Sequence, residues 1–83
     1  MDEAKIRRAI YGLARERGPD KSVCPSEVAR KLSPMKWRAL MPQVIGAAKR
    51  MASDREILIT QKGQTVAPDV FKGAFRLKLP APD

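Results

Sequence analysis

The apolar residues of this chain keep a helical period as far as Ala52 and then, within a few positions, change to alternation. A stripe of period 3.6 and a face of period 2 bury themselves in different ways, so one chain carrying both needs helices packed on a sheet. The order of the patterns, helical first and alternating last, predicts an α+β fold that is mostly α and closes on an antiparallel hairpin.

From Asp2 to about Arg17, Ile6, Ala9, Ile10, Leu13 and Ala14 fall on one helical stripe. Asp2 and Glu3 suit the positive end of that helix, Arg15 and Arg17 suit its negative end, and Gly18-Pro19 stops it. The stretch "PDKSV" reads as a turn into a short extended piece at Val23. Pro25 fits the first position of a second helix running to about Lys31 or Leu32, with Val28, Ala29 and Leu32 turned inward. At two turns it depends on packing. Ser33-Pro34 reads as an N-cap and first-turn proline of a third helical pattern that continues to about Ala52. Trp37, Leu40, Met41, Val44, Ile45, Ala48, Met51 and Ala52 share its apolar arc, while Ala39, Pro42, Gln43, Gly46, Lys49, Arg50 and Ser53 share the opposite one. Pro42 forfeits a backbone hydrogen bond, so a kink or a short lead-in helix is expected there.

Beyond Asp54-Arg55, "EILIT" sets Ile57 and Ile59 against Leu58 and Thr60, and "AFRLKL" sets Phe75, Leu77 and Leu79 against Arg76 and Lys78. The intervening "QKGQTVAPDVFKG" exceeds a tight turn and is expected to be an extended loop that folds partly on itself. Ser53-Asp54-Arg55-Glu56 matches a capping box although a strand follows it.

Eighty-three residues suffice for one small core, which predicts a single domain over residues 1–80 and a tail at 81–83. No apolar run approaches the roughly 20 residues of a membrane span, and "MDEAKIRRAI" lacks the apolar stretch of a signal peptide, so a soluble cytoplasmic protein is expected. One cysteine, Cys24, and no histidine remove the usual disulfide and zinc options. Cys24 is read as a small packing residue, and Met35, Met41 and Met51 as gap fillers. With no nucleophile–base pair and no phosphate-cradling glycine loop after a strand, the chain reads as a non-enzyme without cofactors.

Helix, short strand, helix, helix, strand, wing, strand is the order of a winged helix-turn-helix, three helices with a wing sheet of two to three strands. The segments "CPSEVARKL", "WRALMPQV" and "TQKGQTVAP" with "GAFRLKLP" resemble a small bacterial family of domains of unknown function, over roughly residues 6–80. The run Trp37–Pro42 is the most specific part of that resemblance. It implies the winged-helix fold and carries no activity with it.

Seventeen basic against nine acidic residues leave a net charge of +8, and six of the basic groups but one acidic group lie in residues 25–53. Such a surplus favours anionic partners. Because Ala39, Gly46 and Ser53 clear the outer arc of the third helix, Gln43, Lys49 and Arg50 are the candidates for base edges in a DNA major groove. Arg30, Lys31, Lys36 and Arg38 around the turn, and Lys62, Lys72, Arg76 and Lys78 in the wing sheet, are the candidates for phosphates. Six to eight such contacts imply a salt slope of about −5 to −7 in log affinity. The competing reading is a winged helix that binds an acidic protein, and plain solvated surface is the default for any one lysine or arginine. RNA fits less well, because aromatic residues are only 5% and Trp37 and Phe75 fall on core faces. No extra dimerisation helix is visible, which suits a monomer or a weak homodimer.

Overall fold

The computed structural model describes residues 1–80, so the expected tail at 81–83 lies outside the described residues. Three helices, α1 (Glu3–Arg17), α2 (Pro25–Leu32) and α3 (Trp37–Ser53), precede three strands, β1 (Leu58–Gln61), β2 (Gln64–Val66) and β3 (Arg76–Lys78). The strands form one antiparallel sheet in the order β2-β1-β3, and Val23 adds a bridge to Leu77 on the free side of β3. This is an α+β arrangement of the winged-helix kind, with the segment between β1 and β3 as the wing.

The amphipathic reading accounts for the core. Ile6, Ile10 and Ala14 of α1 meet Val28 and Ala29 of α2 and Leu40, Val44, Ala47, Ala48 and Met51 of α3, and Ile57, Ile59, Phe75 and Leu77 close the cluster from the sheet side. Ala47 belongs to this interior although it stands outside the expected arc. Burying a full aliphatic side chain contributes roughly 1.5–3 kcal/mol, so these positions rather than the exposed charges hold the fold.

The expectation at Ser33 is corrected and that at Pro42 is narrowed. Ser33 does not cap α3: its amide donates to Ala29 O at 2.9 Å, which makes it the end of α2, and its carbonyl accepts from Lys36 N in the turn that precedes Trp37. A proline at 34 suits that turn as well as a helix start, which is why the pattern misled. Pro42 lies inside α3 as its sixth residue, so the expected alternative of a separate lead-in helix does not hold. The wing loop folds partly on itself, as expected, through a short hairpin. Lys62 and Gly63 both take positive φ, 52° and 79°, as a two-residue hairpin turn of type I′ requires, and Gln61 pairs with Gln64 across it.

The false capping box at Ser53–Glu56 is the stop of α3. Glu56 N donates to Met51 O at 2.9 Å and Arg55 N to Ala52 O at 3.1 Å, a Schellman closure with Arg55 in the left-handed position at φ 63°. It turns the chain directly into Ile57 and β1. Among the described residues no helix is long and apolar enough to cross a membrane.

Candidate nucleic-acid interface

The outer arc of α3 is where the helical period predicts it: Ala39, Pro42, Gln43, Lys49, Arg50 and Ser53 are exposed and Gly46 is half-buried. Small side chains at Ala39, Gly46 and Ser53 run down its middle, with Gln43 and Arg50 on one flank and Lys49 on the other. The two flanks have different neighbours. On the α1 side, Gln43 Oε1 accepts from the amine of Met1 at 3.0 Å, and Arg50 Nε donates to Glu3 Oε1 at 2.8 Å, with its Nη2 on the same oxygen. Arg50 reaches Glu3 by lying across Gly46, where an added Cβ would come within 3.2 Å of its Nη2. On the wing side, Lys49 Nζ stands 5.2 Å from the ring centre of Phe71, whose edge packs on Phe75 at 4.8 Å.

Glu3 is shared. It also accepts from Arg7 Nε at 3.0 Å, and Arg7 reaches Glu56 at 3.2 Å and Asp54 at 3.9 Å, so the first turn of α1 is tied to the end of α3 and the entry to β1. The Arg50 guanidinium, more than that of Arg7, holds the Glu3 carboxyl below its ordinary range. Arg50 is in turn raised above its own ordinary value by Glu3.

A second set of carboxylate ties joins α2 to the sheet. Glu27 accepts from Cys24 N at 3.1 Å and so caps α2, while Arg17 binds the same carboxylate and Ser22 O at 3.1 Å. Arg76 joins them, donating to Ser22 Oγ at 2.6 Å and Ser22 O at 3.1 Å, with Glu27 3.9 Å away. The Arg17 hydrogen bond is the main cause that lowers the Glu27 carboxyl. Arg76, expected to face phosphates, is therefore engaged within the protein. Cys24 is half-buried, with Sγ 3.0 Å from Ser26 Oγ.

The turn between α2 and α3 is built differently. Arg30 lies 4.3 Å and Arg38 4.8 Å from the ring centre of Trp37, guanidinium carbon to ring. Trp37 is half-buried at the rim of the core, not inside it, because as the first residue of α3 it has solvent on one side. Both arginines are exposed, as are Lys31 and Lys36. Among the described residues no carboxylate lies within ion-pair distance of any of the four, and the sequence from Val28 to Ser53 contains no acidic residue. Met35, expected to fill a gap, is 92% exposed beside them.

In the wing, Lys62 projects at the tip of the β1–β2 turn and Lys72 is exposed further along. The Gln61 side chain pins the intervening loop, donating to Lys72 O at 2.6 Å and Ala74 O at 3.0 Å. Lys78 is half-buried on the outer face of β3 opposite Leu58. The pairings from Glu3 to Arg50 and from Arg17 to Glu27 were not anticipated. The separations of 47 and 10 residues leave no periodic signal, although acidic residues at helix starts mark where such partners are available.

No curated protein matches the chain in sequence. A family model described as "Protein of unknown function (DUF3253)" matches residues 3–80, nearly all of the fold just described, and the chain belongs to that family.

Proposed function

We propose that this winged-helix domain binds double-stranded DNA, with α3 entering the major groove and the wing following the backbone. The observation that carries the reading is the distribution of uncompensated charge. Arg30, Lys31, Lys36 and Arg38 surround the start of α3, Lys49 continues along one flank, and the sequence from Val28 to Ser53 has no acidic residue, while Glu3 lies on Arg50 and Asp69 beside the hollow that Lys49 lines. Small residues at Ala39, Gly46 and Ser53 leave room for base edges once Arg50 moves off Gly46, and Lys49 is the side chain that reaches them first, since Gln43 Oε1 accepts from the Met1 amine. Arg50, bound to Glu3, is withheld from the bases. Lys62 and Lys72 carry the wing contact.

The test is a fluorescence-anisotropy titration of a mixed-sequence labelled duplex at two salt concentrations, with wild type and with Gln43, Lys49 and Arg50 all changed to alanine. Micromolar binding that weakens steeply with salt and is lost in the triple variant supports the reading. Absence of binding at low salt removes it and favours an acidic protein partner, a second reading that draws on the exposed apolar groups Met35 and Val70 (73% exposed) near basic side chains.

A further inference from the structure

We infer that Arg30, Trp37 and Arg38 form a clamp for one phosphodiester group, in which Trp37 is a positioning residue and the two guanidiniums are the ligands. The inference deepens the DNA reading and rests on it for the identity of the phosphate's carrier.

The geometry has three parts. Ring-centre distances of 4.3 and 4.8 Å put both guanidinium carbons within cation–π range of one indole. A guanidinium lying over a ring uses its face and keeps its N–H donors at its edge, where a planar fork meets two oxyanion oxygens at once. The indole therefore restricts two long side chains without neutralising them, which reduces the ordering cost of binding an anion. A carboxylate partner would restrict them equally well but would cancel the charge, as Glu3 does for Arg50.

The second part concerns the helix end beneath the clamp. The first turn of α1 holds Glu3 and that of α2 holds Glu27, each complementing the positive end of its helix. The first turn of α3 has no acidic residue and no side-chain cap, and Lys36 and Arg38 sit there instead. Cations at the positive end of a 17-residue helix oppose its dipole. An external anion at this place relieves both, satisfying free backbone N–H groups as well as the guanidiniums.

The third part is the neighbourhood. Lys31 and Lys36 are exposed between Arg30 and Arg38 in sequence, so four cations crowd the turn between α2 and α3. A row of phosphates uses such an array, whereas a single carboxylate leaves most of it unmatched.

The experiment uses the full chain and four forms: wild type, the charge-preserving double variant Arg30→Lys with Arg38→Lys, Trp37→Phe and Trp37→Leu, each checked for folding by far-ultraviolet circular dichroism. Trp37 is the sole tryptophan, so its emission reports directly on whatever its guanidinium neighbours do. Binding of the duplex is followed by anisotropy, and inorganic pyrophosphate and poly-glutamate are titrated at low salt against Trp37 emission.

The clamp predicts that the Lys double variant binds duplex about fivefold or more weakly despite its unchanged charge, because lysine supplies a point charge and no planar fork. Trp37→Phe, which keeps a ring face, should bind close to wild type, and Trp37→Leu should fall with the Lys variant. Wild-type emission should change with pyrophosphate, and that of the Lys variant should not. If the Lys variant and Trp37→Leu bind duplex as wild type does, the clamp is overturned while DNA binding stands. A pyrophosphate response without duplex binding keeps the clamp and removes the DNA reading. A response to poly-glutamate at lower concentration than to pyrophosphate overturns the phosphate assignment, and no response to any probe overturns both proposals.

Discussion

The two ends of α3 treat their arginines in opposite ways. At the carboxyl end Arg50 lies against Glu3, inside a set of ion pairs that also takes in Arg7, Asp54 and Glu56. At the amino end Arg30 and Arg38 lie against the indole of Trp37. The first arrangement uses charge to join α1, α3 and the entry to β1, and leaves little of it for a partner. The second orders two side chains and leaves their charge intact. Lys49 over Phe71 belongs with the second group, and Arg17 and Arg76 around Glu27 with the first. Net charge alone does not separate these classes. What separates them is whether each cation lies over a ring or is engaged by oxygen acceptors of the protein, a carboxylate among them.

That contrast is open to attack in a definite order of effect. Changing Arg30 and Arg38 together to alanine should weaken duplex binding by tens of fold at 0.1 M salt, since each lost phosphate contact removes roughly a factor of eight relative to 1 M. Changing Arg50 to alanine should cost far less, and similar losses in the two cases would break the contrast. Lys49→Ala comes next. It should make the salt slope shallower by about one and weaken binding uniformly across sequences if it holds a phosphate, or selectively if it reads a base.

A smaller effect concerns acid. Glu3 and Glu27 are both held below the ordinary carboxylate range by their arginines, so their ion pairs stabilise the fold above that range and lose their contribution as pH falls through the lowered values. Urea denaturation of wild type should show declining stability below the ordinary glutamate value, and Glu3→Gln with Glu27→Gln should flatten that decline. An equal decline in the double variant would mean that other carboxylates govern it. The smallest effect is expected from Gly46→Ala. Alanine improves helix propensity by up to about 1 kcal/mol, and the group it crowds is the flexible end of Arg50, so a small rise in melting temperature is expected. A fall would show that the crossing of Arg50 over Gly46 is rigid.

Much of the fold was legible. The stripe Ile6–Ile10–Ala14, the proline that opens α2, the arc of α3 and the alternation of Phe75 and Leu77 with Arg76 appear in the packing, while in β1 Thr60 is buried beside Ile59 against the expected alternation. The errors lie where one residue type serves two purposes. Ser33-Pro34 suits a turn as well as a helix start, and Gln64–Val66 is too short to show alternation, although Lys62-Gly63 signals its hairpin. The candidate interface was legible as a list of exposed cations and not as a division among them. Arg76 and Arg50 look like Arg38 until Glu27 of α2 and Glu3 of α1 are brought beside them by the packing of those helices. Trp37 packs against the core as its arc position says, and at the start of α3 it remains half-exposed, where two arginines lie against its ring.

The most direct measurement follows the Nε–Hε resonances of the arginines in a nitrogen-15-labelled sample while a short duplex is added. The resonances of Arg30 and Arg38 should move early and together, with those of Arg7, Arg17, Arg50 and Arg76 nearly stationary. Movement of Arg50 and Arg76 while Arg30 and Arg38 stay in place would contradict the division of cations into ring-borne and carboxylate-bound, and with it the location of the interface.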